Sequence, residues 1–258
     1  MLDGRASWER VDDALDEHRE FVARFVREQT VQTNEVRRAW GLLPGFLSTG
    51  ASCVDLIELG ASAGLLLEFG RYAYRYRAGS WGDGSLELAG DDRGGPPDEL
   101  LARPLEVWRR RGVDLDPVDV TTDEGARLLE AFVWPGQNER MERLRAAIAI
   151  VRDDSPELVR GDYVELLPSL LRERRDGVLT VVFSSVSTIY LPEERYQQLA
   201  STLARAGRDG PLAWVSFEAP RDDRDYGGVA LDVTVWPGGA TERLAKVDFH
   251  CDWLEWRA

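Results

Sequence analysis

Apolar and polar positions alternate in two different rhythms along this chain. Between Ser7 and Arg27, the residues Trp8, Val11, Leu15, His18, Val22, Phe25 and Val26 recur at helical spacing among Asp, Glu and Arg. That spacing predicts an amphipathic helix whose apolar stripe packs on something. A second helical run lies in TVQTNEVRRAWGLLPGFL, with Gln32, Thr33, Asn34 and Glu35 gathered ahead of it. These amides and the carboxylate could fold over a ligand as a lid, or Thr33 or Asn34 could cap the helix.

The rhythm then changes. Val54, Leu56, Ile57 and Leu59 form a short apolar run with a β-branched core, the pattern of a strand buried on both faces. Gly60 and Gly64 bracket Ala61, Ser62 and Ala63, and Leu65, Leu66, Leu67 and Phe69 predict the apolar face of a following helix. RYAYRYRAGSWGDGSLELAG alternates aromatic and polar residues around glycines and predicts an inserted β-hairpin. Tyr72, Tyr74, Tyr76 and Trp81 could line a pocket there, or stabilise the pair by cross-strand packing.

Beyond the loop DDRGGPPDELLARP a parallel-sheet rhythm resumes. RRGVDLDPVDV reads as a second strand ending in acids, with Thr121 and Glu124 set as a capping box for the next helix. Met141, Leu144, Ala147, Ile148 and Val151 mark another helix, and LVRGDYVELLPSLL a strand, a Gly-Asp turn and a helix. GVLTVVF is the most strand-like run and is expected at the sheet centre. Pro192 to Ala206 reads as a helix ending at Gly207, PLAWVSFEAP as a fifth strand, and VALDVTVW with ERLAKVDFH as a hairpin at the sheet edge. Seven strands result, most of the first five separated by helices, which predicts an α/β fold. The expected division is a helical cap over residues 1–50 and an α/β domain over 51–258, with an insertion at about 72–108.

Composition narrows the partners. There are 46 acidic against 32 basic residues, for a net charge of −14, and Lys246 is the single lysine. Such a surface repels nucleic acid and anionic lipid, so a small molecule or a protein is the expected substrate. Cys53 and Cys251 stand far apart without a metal-binding pattern, and His18 and His250 cannot pair at metal spacing, so no metal is expected. The N-terminus lacks signal-peptide order and no apolar run approaches membrane length, which points to the cytoplasm. No G-x-S-x-G elbow and no G-x-x-x-x-G-K-[ST] loop is present.

The order Glu58, Leu59, Gly60, Ala61, Ser62, Ala63, Gly64 resembles the first motif of class I S-adenosylmethionine (SAM) dependent methyltransferases, with Ser62 in place of the middle glycine. A nicotinamide fingerprint fits less well, because Ser62 and Leu65 stand at two of its glycine positions. The resemblance implies a Rossmann-like sheet of about seven strands, the last two a β-hairpin. It also implies a SAM site at Glu58, Gly60, Ala61, Ser62 and Gly64, with Asp114 for the ribose hydroxyls and Asp162, Tyr163 and Ser184 beside the nucleoside. Asp114 could equally be a solvated strand-end acid, and Asp162 a helix cap.

In a parallel sheet an acceptor approaches at the carboxyl ends of the central strands. That places Ser184, Ser185, Ser187 and Tyr190 after the fourth strand and Glu218 after the fifth. Glu218 is the candidate base, Tyr190 the candidate for acceptor positioning, and Asn34, Glu35, Ser185 and Trp81 are candidate substrate contacts. The strings VQTNEVRRAWGLLPGFL, LIELGASAGLLL, WPGQNERMERLRAAIAI and LVRGDYVELLP resemble a bacterial family, DUF2332, that has no established activity. FSSVSTIY and FHCDWLEW stand where that family is expected to carry histidines, so no mechanism is built on histidine. Binding of SAM or another adenosyl ligand without turnover is the competing expectation.

Overall fold

The structure, a computed structural model, describes residues 8–28, 32–223 and 225–258. The chain divides into two compact units, Met1–Thr33 and Asn34–Ala258. In the first, helices α1 (Trp8–Glu17) and α2 (Arg19–Glu28) are interrupted only at His18. The bonds His18 N to Ala14 O (3.0 Å) and Val22 N to His18 O (2.9 Å) run through the interruption, so the helix is continuous.

The second unit contains helices α3 (Arg38–Ser48), α4 (Asp98–Leu101), α5 (Asp123–Ala131), α6 (Asn138–Asp153), α7 (Tyr163–Arg172) and α8 (Glu193–Asp209). Its strands are β1 (Cys53–Leu59), β2 (Ala73–Arg75), β3 (Ser80–Trp81), β4 (Glu87–Ala89), β5 (Asp91–Asp92), β6 (Glu106–Asp114), β7 (Glu157–Arg160), β8 (Leu179–Ser185), β9 (Leu212–Glu218), β10 (Val229–Trp236), β11 (Ala240–Val247) and β12 (Trp253–Trp256). Nine of them make one mixed sheet in the order β5-β12-β11-β10-β9-β8-β1-β6-β7. The strands from β9 to β7 are parallel, and β10, β11 and β12 are joined antiparallel. Parallel strands with helices on both faces make this an α/β fold.

The sheet corrects the expected seven strands to nine. The hairpin of β10 and β11 is present but does not form the edge, because β12 and then β5 extend the sheet beyond it. The insertion forms a small three-stranded sheet, β3-β2-β4, in which only β2 and β3 are antiparallel. Immediately after Gly64 the chain makes a short 3₁₀ helix, Leu65–Arg71, where an α-helix was expected. The Tyr72 hydroxyl donates to Leu65 O (2.6 Å) and the Tyr74 hydroxyl to Phe69 O (2.8 Å), so tyrosines occupy carbonyls that a longer helix would use.

Strand alternation fills two cores. On one face α3, the insertion and α6 cover Leu56, Phe183, Val215 and Leu231; on the other α7 and α8 cover Ile57, Val113, Val182 and Trp214. Helix α3 is buried almost throughout, as expected of a helix apolar on every side. It therefore belongs to the unit beginning at Asn34, rather than to a separate cap ending at residue 50. Its N-cap is Arg37, not Thr33 or Asn34. Thr122 rather than Thr121 caps α5, accepting from Gly125 N at 3.1 Å. Helix α8 runs past Gly207, where a Cβ would lie 2.2 Å from the Trp236 ring. That glycine serves close packing, not termination.

No helix among the described residues is long and apolar enough to cross a membrane.

Candidate functional site

The strand order reverses between β1 and β8, and in such sheets the crevice at the carboxyl ends of these strands is where ligands bind. The turn leaving β1 uses three left-handed residues: Gly60 (φ +79°), Ser62 (φ +50°) and Gly64 (φ +72°). Ser62 N donates to Asp114 Oδ2 at 2.8 Å, and Gly60 N and Ala61 N both donate to Val113 O. Asp114 Oδ1 accepts from Asp116 N at 2.9 Å. The end of β6 is thus fastened to the turn, with Asp114 beside Ser62.

The two glycines have packing reasons of their own. A Cβ on Gly60 would lie 2.2 Å from Ser187 Oγ, and one on Gly64 would lie 2.6 Å from Pro156 Cγ. The space beside both glycines is therefore filled on their Cβ sides. Open volume lies to one side, in a cavity of about 270 Å³ lined by Ala63, Val118, Val120, Val151, Pro156 and Leu158, among others. Val118 N donates to Ser62 O (3.2 Å), so this cavity adjoins the joint between Ser62 and Asp114.

Alternation places Glu58, Asp114 and Ser185 on the face that α3 covers. Glu58 is 2 % exposed and its Oε2 has no hydrogen-bond partner among the described residues, nor has Ser185 Oγ. Burial raises the Glu58 carboxyl well above the usual range; the Asp114 charge raises it further and Arg38 opposes. Arg38 is itself buried, donating from Nε to Phe249 O (2.9 Å) and from Nη1 to Ser185 O (3.4 Å). Glu35, foreseen on a lid, is buried and fixed: it accepts from Arg37 N (3.0 Å) and faces Arg140 Nε (3.1 Å) and Arg143 Nη2 (3.6 Å).

Among the described residues, four that are not glycine have positive φ, namely Asn34, Ser62, Val186 and Cys251. Asn34 precedes Glu35, Ser62 holds Asp114, Val186 follows Ser185, and Cys251 lies two residues after Phe249, whose carbonyl accepts from Arg38 Nε. Strain of this kind costs on the order of 1–3 kcal/mol per residue and gathers where geometry is over-determined by its surroundings. Val186, being β-branched, is the most unusual of the four.

The remaining candidates fall elsewhere. Glu218 is buried, and its two oxygens accept from Ser187 N (3.0 and 3.1 Å), Thr188 N (3.1 Å) and Ile189 N (3.4 Å). Burial raises its carboxyl while these N–H groups lower it. Such a carboxylate caps the turn Thr188–Tyr190 instead of standing free as a base. Tyr190 is 77 % exposed on that turn. Ser184 is fully buried. Asp162 caps α7 through Val164 N (2.8 Å) and pairs with Arg195 (2.5 Å), the bland alternative for that residue. Tyr163 lies behind Gly60, its hydroxyl 3.5 Å from Ser187 Oγ, and burial pushes it up to about 12. Trp81 packs on Phe69 and Tyr74 and donates to Arg103 O (3.0 Å), so it belongs to the small sheet.

The structure thus joins Ser62 to Asp114 and brings Glu58, Ser185 and Glu35 within reach of Arg38, whereas Asn34 is placed only by its position before Glu35. It adds Arg38, Arg140, Arg143 and Val186, which the sequence did not single out. Arg38 carried a signal, an arginine on a helix otherwise apolar on all sides. Among the described residues, no group of three or more His, Cys, Asp or Glu could hold a metal ion.

A pH test follows from Glu58. Its folded value is raised, so the folded protein holds a proton that the unfolded chain releases above the ordinary carboxyl value. Stability then falls as pH rises through that window, by up to about 1.4 kcal/mol per pH unit for one group. Glu68, raised to about 7 by burial against Arg110 and Arg71, acts in the same direction. In Glu58→Gln the difference in urea stability between pH 5.5 and pH 8 should shrink. An unchanged difference would mean that Glu58 is ionised in the fold.

Comparison with known proteins gives one family, described as an uncharacterized protein conserved in bacteria (DUF2332), which matches residues 2–256. None of the curated proteins matches.

Proposed function

The chain belongs to the DUF2332 family, and from that footing we propose that it binds S-adenosylmethionine at the carboxyl ends of β1 and β6 and is a methyltransferase acting on a small molecule or a protein. The observation that carries the reading is the joint between Ser62 N and Asp114 at the sheet's reversal point. Asp114 is only partly buried, and each of its oxygens keeps a further acceptor direction for a ribose hydroxyl. The apolar cavity adjoining Ser62 suits a purine ring. Glu58, with an unsatisfied buried oxygen, is the residue to meet the amine or a hydroxyl of such a ligand.

Methyl transfer needs the acceptor held in line with the sulfonium, and SAM supplies the reactive methyl group. Orientation alone contributes much of such an acceleration. With Glu218 committed to the turn after β8, the reading uses no side-chain base and favours an acceptor already deprotonated at neutral pH. That commitment, with Tyr190 facing solvent, also supports a second reading in which the adenosyl ligand binds without turnover.

Titration calorimetry with SAM and with S-adenosylhomocysteine tests both. We expect saturable binding, weakened at least about tenfold in Asp114→Ala, the loss of one or two charge-assisted hydrogen bonds. Label transfer from methyl-labelled SAM into metabolite or protein pools distinguishes enzyme from binder. No heat with either ligand, with the protein folded, removes both readings.

A further inference from the structure

The helix from Trp8 to Glu28 carries an apolar seam of Trp8, Val11, Leu15, His18, Val22 and Phe25. Trp8 is 82 %, Val11 37 % and Leu15 45 % exposed, and α1 has no buried residue. The seam spacing alternates strictly between three and four, the a and d positions of a heptad, with the exposed Phe21 and Val26 flanking it. The charges are divided along the length. The Trp8–Glu17 half holds Glu9, Asp12, Asp13, Asp16 and Glu17 against Arg10, whereas Arg19, Arg24 and Arg27 stand against Glu20 and Glu28 in the stretch that follows.

We infer that this helix is a homodimerisation element, pairing antiparallel with the same helix of a second copy. A twofold axis between Asp16 and Glu17 brings every seam residue opposite another. Trp8 meets the partner's Phe25, Val11 the partner's Val22, and Leu15 the partner's His18. Each contact occurs twice by symmetry, as an isologous interface requires. The flanking positions agree: Asp12 falls beside the partner's Arg19, and Ala14 beside the partner's Phe21, which covers that exposed ring. Arg19 now pairs with Asp16 at 2.5 Å, an exposed contact of little worth that can be exchanged for Asp12 of the second copy. A parallel pair would set the acidic half against the acidic half, and pairs of this sign repel. The occupant is thus fixed by the division of charge and by a seam that is its own complement.

Sedimentation equilibrium of the full chain tests the assignment. The chain should be dimeric at about 100 µM, and Leu15→Asp should raise the dissociation constant about 100-fold or more by removing two buried leucines per dimer. His18→Leu should tighten the dimer, since it replaces the one polar seam residue. Asp12→Arg and Arg19→Asp should each weaken it, and the double variant Asp12→Arg/Arg19→Asp should return it to near the starting value. Parallel helices would not give that restoration, so its absence overturns the proposed register. A monomer for the unmodified chain at that concentration overturns the dimer itself. The thermal transition of each variant, followed by circular dichroism, separates loss of dimer from loss of fold.

Discussion

Replacing Arg111 by Met is expected to cost about 3–5 kcal/mol of unfolding free energy, because it leaves a carboxylate buried without its partner. Arg111 on β6 and Asp55 on β1 are both completely inaccessible to solvent and lie 2.6 Å apart beneath α7. Arg111 also donates to Leu170 O (3.2 Å) and reaches Glu173 (3.3 Å), whereas Asp55 Oδ1 has no other partner among the described residues. Burial already raises the Asp55 carboxyl and Arg111 holds it down. Without Arg111 the carboxyl must take up a proton to remain inside. Urea titration should therefore show a midpoint that recovers on acidification in Arg111→Met. The double variant Asp55→Leu/Arg111→Met should regain most of the loss, since two apolar groups replace the pair. A single variant within about 1 kcal/mol of the parent would mean that water reaches this pair.

Glu218→Gln should be the next most damaging change, at about 2–3 kcal/mol, the range for hydrogen bonds to a charged group together with a donor left facing donors. The carboxylate serves three consecutive N–H groups, and an amide offers one oxygen and an NH₂ in its place. Arg221, donating to Thr188 O (2.5 Å) and Leu191 O (2.8 Å), holds the same turn from its carbonyl side. Hydrogen exchange at Ser187, Thr188 and Ile189 should accelerate along with the loss of stability. If Glu218→Gln melts like the parent and instead abolishes the acidic limb of a transfer assay's pH profile, Glu218 is a base and the capping account fails.

Much of the sheet could be read from residues because its strands are short β-branched runs. LTVVFSS and LAWVSFE have no helical periodicity to compete with, and both lie at the centre of the sheet. The places of Ser62 in the turn after β1 and of Asp114 at the end of β6 were legible for a related reason, whereas the hydrogen bond that joins them was not. Other features depended on tertiary partners. The apolar run Leu65 to Phe69 has a helical pattern, yet the hydroxyls of Tyr72 and Tyr74, folded back from the strand that follows, take two of its carbonyls and it becomes a 3₁₀ turn. Strand β5, two acidic residues in a loop-like stretch, exists only because β12 lies beside it. Glu35 read as a lid residue because Arg140 and Arg143, its partners, are more than a hundred positions away. Glu218 read as a base because nothing in the sequence reveals that a turn thirty residues upstream points its N–H groups at it.

The pairing of β5 with β12 joins Asp91 and Asp92 to Trp253 and Leu254, with the Arg93 guanidinium stacked 4.8 Å from the Trp253 ring. Asp92 and Trp253 stand more than 150 positions apart in the chain, so this pairing is a contact of high sequence separation and forms slowly. Until it forms, β5 and the last strands of the sheet each present an unprotected border able to template association with another chain.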